Sequence, residues 1–271
     1  MLAAPIMNDL SLTFVPAVGS VRGREHERTG RNNQDAWALD ARATSLVAVV
    51  TDGCGSGSAS EVGARLGARL LTAAISRRLI AEPNSEPTRL LEAAALDTLA
   101  VIDETVRRMG GDYVNTLVEH FLFTVVGAVV QPRETVLFAL GDGLLGINGS
   151  LRQLEFAGNA PPYLSYALIP DAVNDLDLVR GIDVVLTTPT RALRSLVLAT
   201  DGAAQVPDLV GTADDPRLID KPHLLQRRLN VLNRERTRVD WQQGVVRREA
   251  GALADDTTVL VLKRTTPRED V

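Results

Sequence analysis

The chain has 271 residues, 45% hydrophobic and 23% charged, with a formal net charge of −5 at pH 7. That length and balance suit a globular protein with a sizeable core and exclude a disordered or collagen-like chain; the acidic charge excludes the basic footprint of a nucleic-acid binder. A single cysteine excludes a disulfide framework and a cysteine-rich zinc site.

In chain order, the opening MLAAPIMNDL has neither a basic start nor a long apolar stretch, so no signal peptide is expected. LTFVPAVGSV (12–21) leans to strand. A charged loop, RGREHERTGRNNQD (22–35), leads into AWALD (36–40) and the apolar run LVAVV (46–50), whose β-branched content predicts a buried strand. GCGSGSAS (53–60) ends it. Two helices follow, one on the spacing of Val62, Leu66, Leu70, Ala73, Ala74 and Leu79, the other on Leu90, Leu91, Ala94, Leu99, Ile102 and Val106. Ser60 is the expected N-cap, AEPNSEPT (81–88) the connecting loop, and Gly110-Gly111 the second helix's end.

The chain then returns to strands. FLFTVVGAVV (121–130) and TVLFAL (135–140) are spaced as a hairpin, and LLGIN and LRQLEF flank Gly149-Ser150 as another. DVVLTT (183–188), SLVLAT (195–200) and TTVLVLK (257–263) are further strands, with a helix near KPHLLQRRLNVL (221–232). The longest apolar run, 121–130, is about half the ~20 residues that a membrane span needs. A cytoplasmic protein without membrane or nucleic-acid partners is expected. Strands, a helix pair and strands again predict one α+β domain of antiparallel sheet over 1–271.

Three apolar strands end alike: in Thr51-Asp52-Gly53, in Gly141-Asp142-Gly143 and in Thr200-Asp201-Gly202. A carboxylate at a strand end projects from a rigid support. The glycine after it lets the backbone turn and approach a ligand. Asp35 and Asp255-Asp256 abut strands as well. Any one Asp-Gly is an ordinary turn dipeptide. Several carboxylates converging in a cleft would repel one another, and a hard divalent cation such as Mg²⁺ or Mn²⁺ relieves that.

The ordered set Asn33-Gln34-Asp35, Asp52-Gly53, Gly141-Asp142-Gly143, Thr200-Asp201-Gly202 and Asp255-Asp256-Thr257-Thr258-Val259 resembles the PP2C-type metal-dependent protein phosphatases, over about residues 18–263. The opening from Gly23 through His26 to Asp35-Ala36 is most similar to a bacterial branch. The resemblance implies two packed antiparallel sheets flanked by helix pairs, with two Mg²⁺ or Mn²⁺ ions at the sheet edges. Asp52 would bridge both ions, the Gly53 carbonyl would bind one, Asp201 and Asp255 would hold the other, and Asp35 would act through water. Asp256 is the alternative to Asp255, and Asp142 matches a motif that is usually structural. The implied activity is hydrolysis of phosphoserine and phosphothreonine on phosphorylated proteins, by a hydroxide bridging the two metals. The alternatives are a phosphatase of small phosphoesters and a pseudophosphatase that binds phosphoproteins without turnover.

The sequence departs from that pattern in places. Gly30 stands where many relatives carry a phosphate-gripping arginine, which leaves Arg31, Arg28 or His26 for the role. Cys54 stands where some carry a histidine, leaving water or His26 as proton donor. Glu119 lies near where relatives place a third-metal ligand; an ordinary solvated glutamate is the alternative. Gly141-x-Gly143-x-x-Gly146 satisfies a dinucleotide fingerprint but leads into a turn rather than a helix. Asp175-Leu-Asp177 is read as a loop, and Leu154–Asp183, with its prolines, as a substrate-contacting loop or plain connection. Arg227, Arg228, Arg234, Arg236 and Arg238 are read as a solvated face or a guide for acidic phosphosubstrates.

Overall fold

The structure is a computed structural model that describes residues 9–169 and 181–265. Its strands are β1 (Phe14–Val21), β2 (Asp35–Ala41), β3 (Leu46–Gly53), β4 (Phe123–Val130), β5 (Glu134–Leu140), β6 (Gly143–Ile147), β7 (Ser150–Leu154), β8 (Asp183–Pro189), β9 (Ser195–Ala199), β10 (Arg236–Asp240), β11 (Val245–Glu249) and β12 (Thr257–Arg264). Its α-helices are α1 (Leu10–Thr13), α2 (Arg24–Thr29), α3 (Glu61–Ala81), α4 (Pro87–Met109), α5 (Tyr113–His120), α6 (Leu209–Asp214), α7 (Arg217–Asp220) and α8 (Leu224–Asn233).

Two five-stranded sheets form the centre, in the orders β1-β12-β9-β6-β7 and β2-β3-β4-β5-β8, and every pairing is antiparallel. They face each other through Ala48, Val50, Val126 and Ala128 on one side and Leu145, Leu198, Leu260 and Leu262 on the other. The alternate residues of the same strands point outward: Val47, Val49, Val125 and Val129 meet α3 and α4, while Val197, Val259 and Val261 meet Leu225 and Leu229 of α8. The result is a four-layer αββα sandwich, as the resemblance implies. Because both faces of each sheet are covered, the central strands read as unbroken apolar runs rather than alternating ones.

Helix α4 buries the predicted set Leu90, Leu91, Ala94, Leu99, Ile102 and Val106. Helix α3 turns a neighbouring face inward: of its expected stripe only Ala74 and Leu79 are buried and Val62 and Leu66 are exposed, because the small Gly63, Ala64, Gly67 and Ala68 allow the closer approach to the sheet. In α3, Ala64, Ala68, Leu71, Ile75 and Leu79 are buried along one stripe. Gly67 lets that stripe approach β4, since a Cβ there would sit 2.2 Å from the Phe123 ring. Glu86 caps α4 by accepting from the Thr88 and Arg89 amides, and Pro87 takes the first helical position. Ser60 does occupy the N-cap position of α3, but its buried hydroxyl makes no capping bond. The β6–β7 hairpin turns on Asn148 and Gly149, both at positive φ, the backbone of a tight hairpin turn.

The structure adds elements to the sequence-based outline. The charged loop 22–35 contains α2, a helix with no buried residue. Helix α5 precedes β4, so the strand expected from residue 121 starts at Phe123. Residues 236–249 form a separate two-stranded hairpin outside both sheets. The Asp175-Leu-Asp177 segment lies outside the described residues, as does much of the expected substrate loop Leu154–Asp183.

Candidate active site

The turns at one end of the two sheets enclose an open cavity of about 120 Å³, lined by His26, Gln34, Asp52, Gly53, Cys54, Gly55, Thr124, Asp142, Pro161, Tyr163, Asp201 and Asp255. Its four carboxylates come from four separate places: the end of β3, the β5–β6 turn, the second residue after β9 and the approach to β12. Strand order explains the convergence. β3 and β9 are interior strands of facing sheets, so Asp-Gly at the same end of each brings Asp52 and Asp201 to one opening. The Asp142 turn is possible because Gly141 and Gly143 adopt φ of 87° and 134°.

Burial sets the electrostatics. Asp52 has its carboxyl pushed well above the usual carboxylate range, first by desolvation and then by the charges of Asp35, Asp201 and Asp255. Asp142 is pushed up to about 6 by burial and by Asp201. Asp255 is raised by burial and by the neighbouring Asp201 and Asp256 charges, against a lowering bond from the Asp256 amide. Asp35 is not on the cavity wall but directly behind Asp52, as its cross-strand partner in β2–β3. Burial and the charge of Asp256 raise its pKa, while the Thr200 hydroxyl donates to its Oδ2 at 2.8 Å.

The adjacent aspartates separate cleanly. Asp255 faces the cavity, whereas Asp256 is buried and accepts from Gly23 N at 2.6 Å, Gln34 N at 2.5 Å and His26 Nδ1 at 2.8 Å. Asp256 therefore ties the start of α2 and the approach to β2 onto the approach to β12, and fixes His26 on the cavity wall. Asp255, Asp256 and His26 also bring ligand atoms within 4.8 Å of one another. Gly202 follows Asp201 closely against this tie: a Cβ there would lie 2.0 Å from the Asp256 carbonyl oxygen.

Two expected site residues are placed elsewhere. Arg31 donates through its guanidinium to the carbonyls of Gly55 and Gly57 and is not on the cavity wall. Glu119 accepts from Ser58 N at 2.8 Å and, through its carbonyl, from Ala59 N at 3.1 Å. The bonds from Ser58, with help from the His120 and Arg31 charges, hold its carboxyl below the usual range. Both side chains brace the glycine–serine loop that follows Asp52-Gly53. Sequence reasoning passed over Tyr163 and Thr124 on the wall. Tyr163 stacks edge-on against Tyr166 with ring centroids 5.3 Å apart, and burial beside Cys54 raises its pKa. Neither carries a motif; Asp142, whose Gly-Asp-Gly turn does, was read as structural.

The model of the family described as Protein phosphatase 2C matches residues 22–242, most of the chain. The chain belongs to the protein phosphatase 2C family. Among solved structures, this PP2C chain is similar to a bacterial serine phosphatase (TM-score 0.57, 15% identity, covering 93% of this chain and 98% of that one). It is also similar to the serine/threonine phosphatase Stp1 from Staphylococcus aureus (TM-score 0.56, 16% identity, 98% and 100%). A third is the catalytic domain of the serine/threonine phosphatase PstP, described in complex with two manganese ions (TM-score 0.54, 18% identity, 94% and 99%), and a fourth the Mycobacterium tuberculosis serine/threonine phosphatase PstP/Ppp (TM-score 0.54, 17% identity, 94% and 100%). At these identities the likeness is one of fold. No curated protein matches the sequence.

The donor set suits hard divalent cations. It consists of carboxylate and carbonyl oxygens, and two buried carboxylate oxygens, Asp201 Oδ1 and Asp35 Oδ1, have no hydrogen-bond partner. Divalent cations in this PP2C cavity would offset the mutual repulsion that adds to burial in raising the carboxyl pKa values.

Proposed function

We propose that this protein hydrolyses phosphoserine and phosphothreonine monoesters on proteins, using two divalent cations, Mn²⁺ or Mg²⁺, held in the acidic cavity. The observation that carries the reading is the convergence of Asp52, Asp201 and Asp255 on one opening, with a partnerless buried oxygen on Asp201. Asp52, the Gly53 carbonyl, Asp201 and Asp255 would hold the cations, and Asp35 would support them from behind Asp52, oriented by Thr200. When bound, such a pair supplies Lewis-acid activation of water and charge neutralisation at the phosphoryl oxygens.

The chain's own residues do the rest. Asp256 accepts from His26 Nδ1, which leaves Nε2 as the ring nitrogen free to move a proton. His26 lies on the cavity wall, and we assign it the transfer of that proton to the departing serine or threonine oxygen. Arg31 and Glu119 keep the 54–59 loop in place and thereby hold the Gly53 carbonyl at the cavity. We assign Asp142 an electrostatic part, as a carboxyl that shares the cavity's charge without a strand of its own to fix it.

One feature favours a second reading. Among the described wall residues there is no arginine or lysine to grip phosphate. A phosphoprotein-binding module without turnover would fit that, although the full carboxylate set counts against it. Phosphate release from a phosphothreonine peptide with Mn²⁺, with and without EDTA, decides between them. Release that needs the cation supports the enzyme; peptide binding without release supports the module. Sugar phosphates in parallel test the small-phosphoester alternative.

A further inference from the structure

We infer that the β10–β11 hairpin is a docking arm for acidic residues flanking the phosphorylated residue of a peptide substrate, an inference that rests on the phosphatase reading. Residues 234–249 carry five arginines against three carboxylates in a chain whose net charge is −5. Every strand position of β11 is exposed, and the hairpin belongs to neither sheet. Two-stranded hairpins of this kind are marginal in water and gain from a partner.

The pairing register shows what kind of partner. Arg238 and Arg247 stand directly opposite each other, and like charges in that position repel. Arg238 is shared with Glu249 at 3.3 Å and Arg248 with Glu235 at 3.9 Å. Arg234, Arg236 and Arg247 are in no ion pair among the described side chains. The other face pairs Val239 with Val246, and Trp241 at the tip is 87% exposed. An anionic peptide with apolar residues interspersed matches both faces.

The arm is rooted beside the cavity. After it, the Gly251 carbonyl accepts from Arg24 Nη1 at 2.8 Å, and the Leu253 and Ala254 carbonyls accept from Arg24 N and Glu25 N. These residues begin α2, which carries His26. Asp255 follows, six residues after Glu249, a span of at most about 20 Å. A substrate with its phosphate in the cavity therefore reaches the arm with residues about four to eight positions away. Among the described wall residues there is no guanidinium, so the arm adds positive charge to that of the described site.

The test uses the full chain and the double variant R238E/R247E. Three substrates are compared: p-nitrophenyl phosphate, a phosphothreonine peptide with glutamates four to eight residues away, and a matched neutral peptide. The expected result is a roughly tenfold rise in KM for the acidic peptide in the variant, with kcat and p-nitrophenyl phosphate turnover unchanged. Equal KM values for acidic and neutral peptides in the wild type, or no change in the variant, would overturn the arm. If the wild type turns over none of the three, the phosphatase reading fails first. The arm is then judged by Trp241 emission on titration with the acidic peptide, with W37F isolating that signal. A shift lost in R238E/R247E supports it. No shift with peptide, or a shift only with anionic phospholipid vesicles, overturns it.

Discussion

Asp35 and Asp52 are direct cross-strand partners in β2 and β3, two carboxylates placed side by side where like charges repel. Both are desolvated, and each stands above the usual carboxylate range. A fold that keeps this pair has a reason to hold positive charge next to it.

The pair sets the pH dependence of the metal-free protein. Asp35, Asp52, Asp142 and Asp255 all have raised pKa values, Asp142 to about 6. Their folded state binds protons more tightly than the unfolded chain, so their contribution to stability is greatest at low pH. For Asp142 it is lost as pH rises from about 4 through about 6, and for the other three as pH rises above the usual carboxylate range. Carboxylates lowered by their partners, such as Asp215 at about 2, work in the opposite direction and lose stability only below about pH 4. In EDTA the Tm should therefore fall between pH 5 and pH 7, and Mn²⁺ at pH 7 should restore it. A Tm that rises over that interval in EDTA would contradict the account.

Asp256 accepts three hydrogen bonds inside the fold, while Asp255 lines the cavity. Asp256→Ala leaves Gly23 N, Gln34 N and His26 Nδ1 without their acceptor. Each buried donor so stranded costs about 1–3 kcal/mol, so the variant should lose about 3 kcal/mol or more in urea unfolding. Asp255→Ala should cost little stability and should lower Mn²⁺ affinity instead, read by calorimetry. The reverse pattern would exchange the two roles.

Gly202 needs the absence of a side chain. A Cβ would stand 2.0 Å from the Asp256 carbonyl oxygen, which is backbone and cannot swing away. Gly202→Ala should cost about 1–3 kcal/mol by overpacking and should weaken Mn²⁺ binding through the displaced Asp201. Unchanged thermal stability and cation affinity would mean that the strand ends are looser than described.

Arg31 acts through the 54–59 loop. Its fork spans the carbonyls of Gly55 and Gly57, a geometry that lysine cannot reproduce. Arg31→Ala and Arg31→Lys should both lower Mn²⁺ affinity, with roughly a tenfold loss in kcat/KM at limiting cation, much of it regained at saturating Mn²⁺. A deep loss in kcat at saturating Mn²⁺, with normal cation binding, would place Arg31 on the phosphate.

The legible parts of the fold are those with a covered face. The runs at β3, β4, β9 and β12 are buried on both sides, and α4 shows its stripe because the stripe is the core, whereas α3 buries small residues that leave the large Val62 and Leu66 outside and so mislead an apolar-spacing reading. α2 has no buried residue, α5 buries only Leu117, and the β10–β11 arm is exposed, so none leaves an apolar signature. The Asp-Gly strand ends made most of the site readable. Choosing Asp255 over Asp256 was not possible from neighbouring letters, because backbone placement sends one carboxylate into the cavity and the other into the fold. Tyr163 reaches the wall from an irregular segment, for which spacing carries no information.

In the proposed function, hydrolysis depends on cations held in the carboxylate cavity. The most direct measurement is phosphate release from a phosphothreonine peptide by wild type and Asp52→Asn across a Mn²⁺ titration, with calorimetric cation binding on the same samples. The account predicts two Mn²⁺ bound and cation-dependent release in the wild type, and loss of both tight binding and release in Asp52→Asn. Release that survives EDTA, or survives Asp52→Asn at full rate, would contradict it.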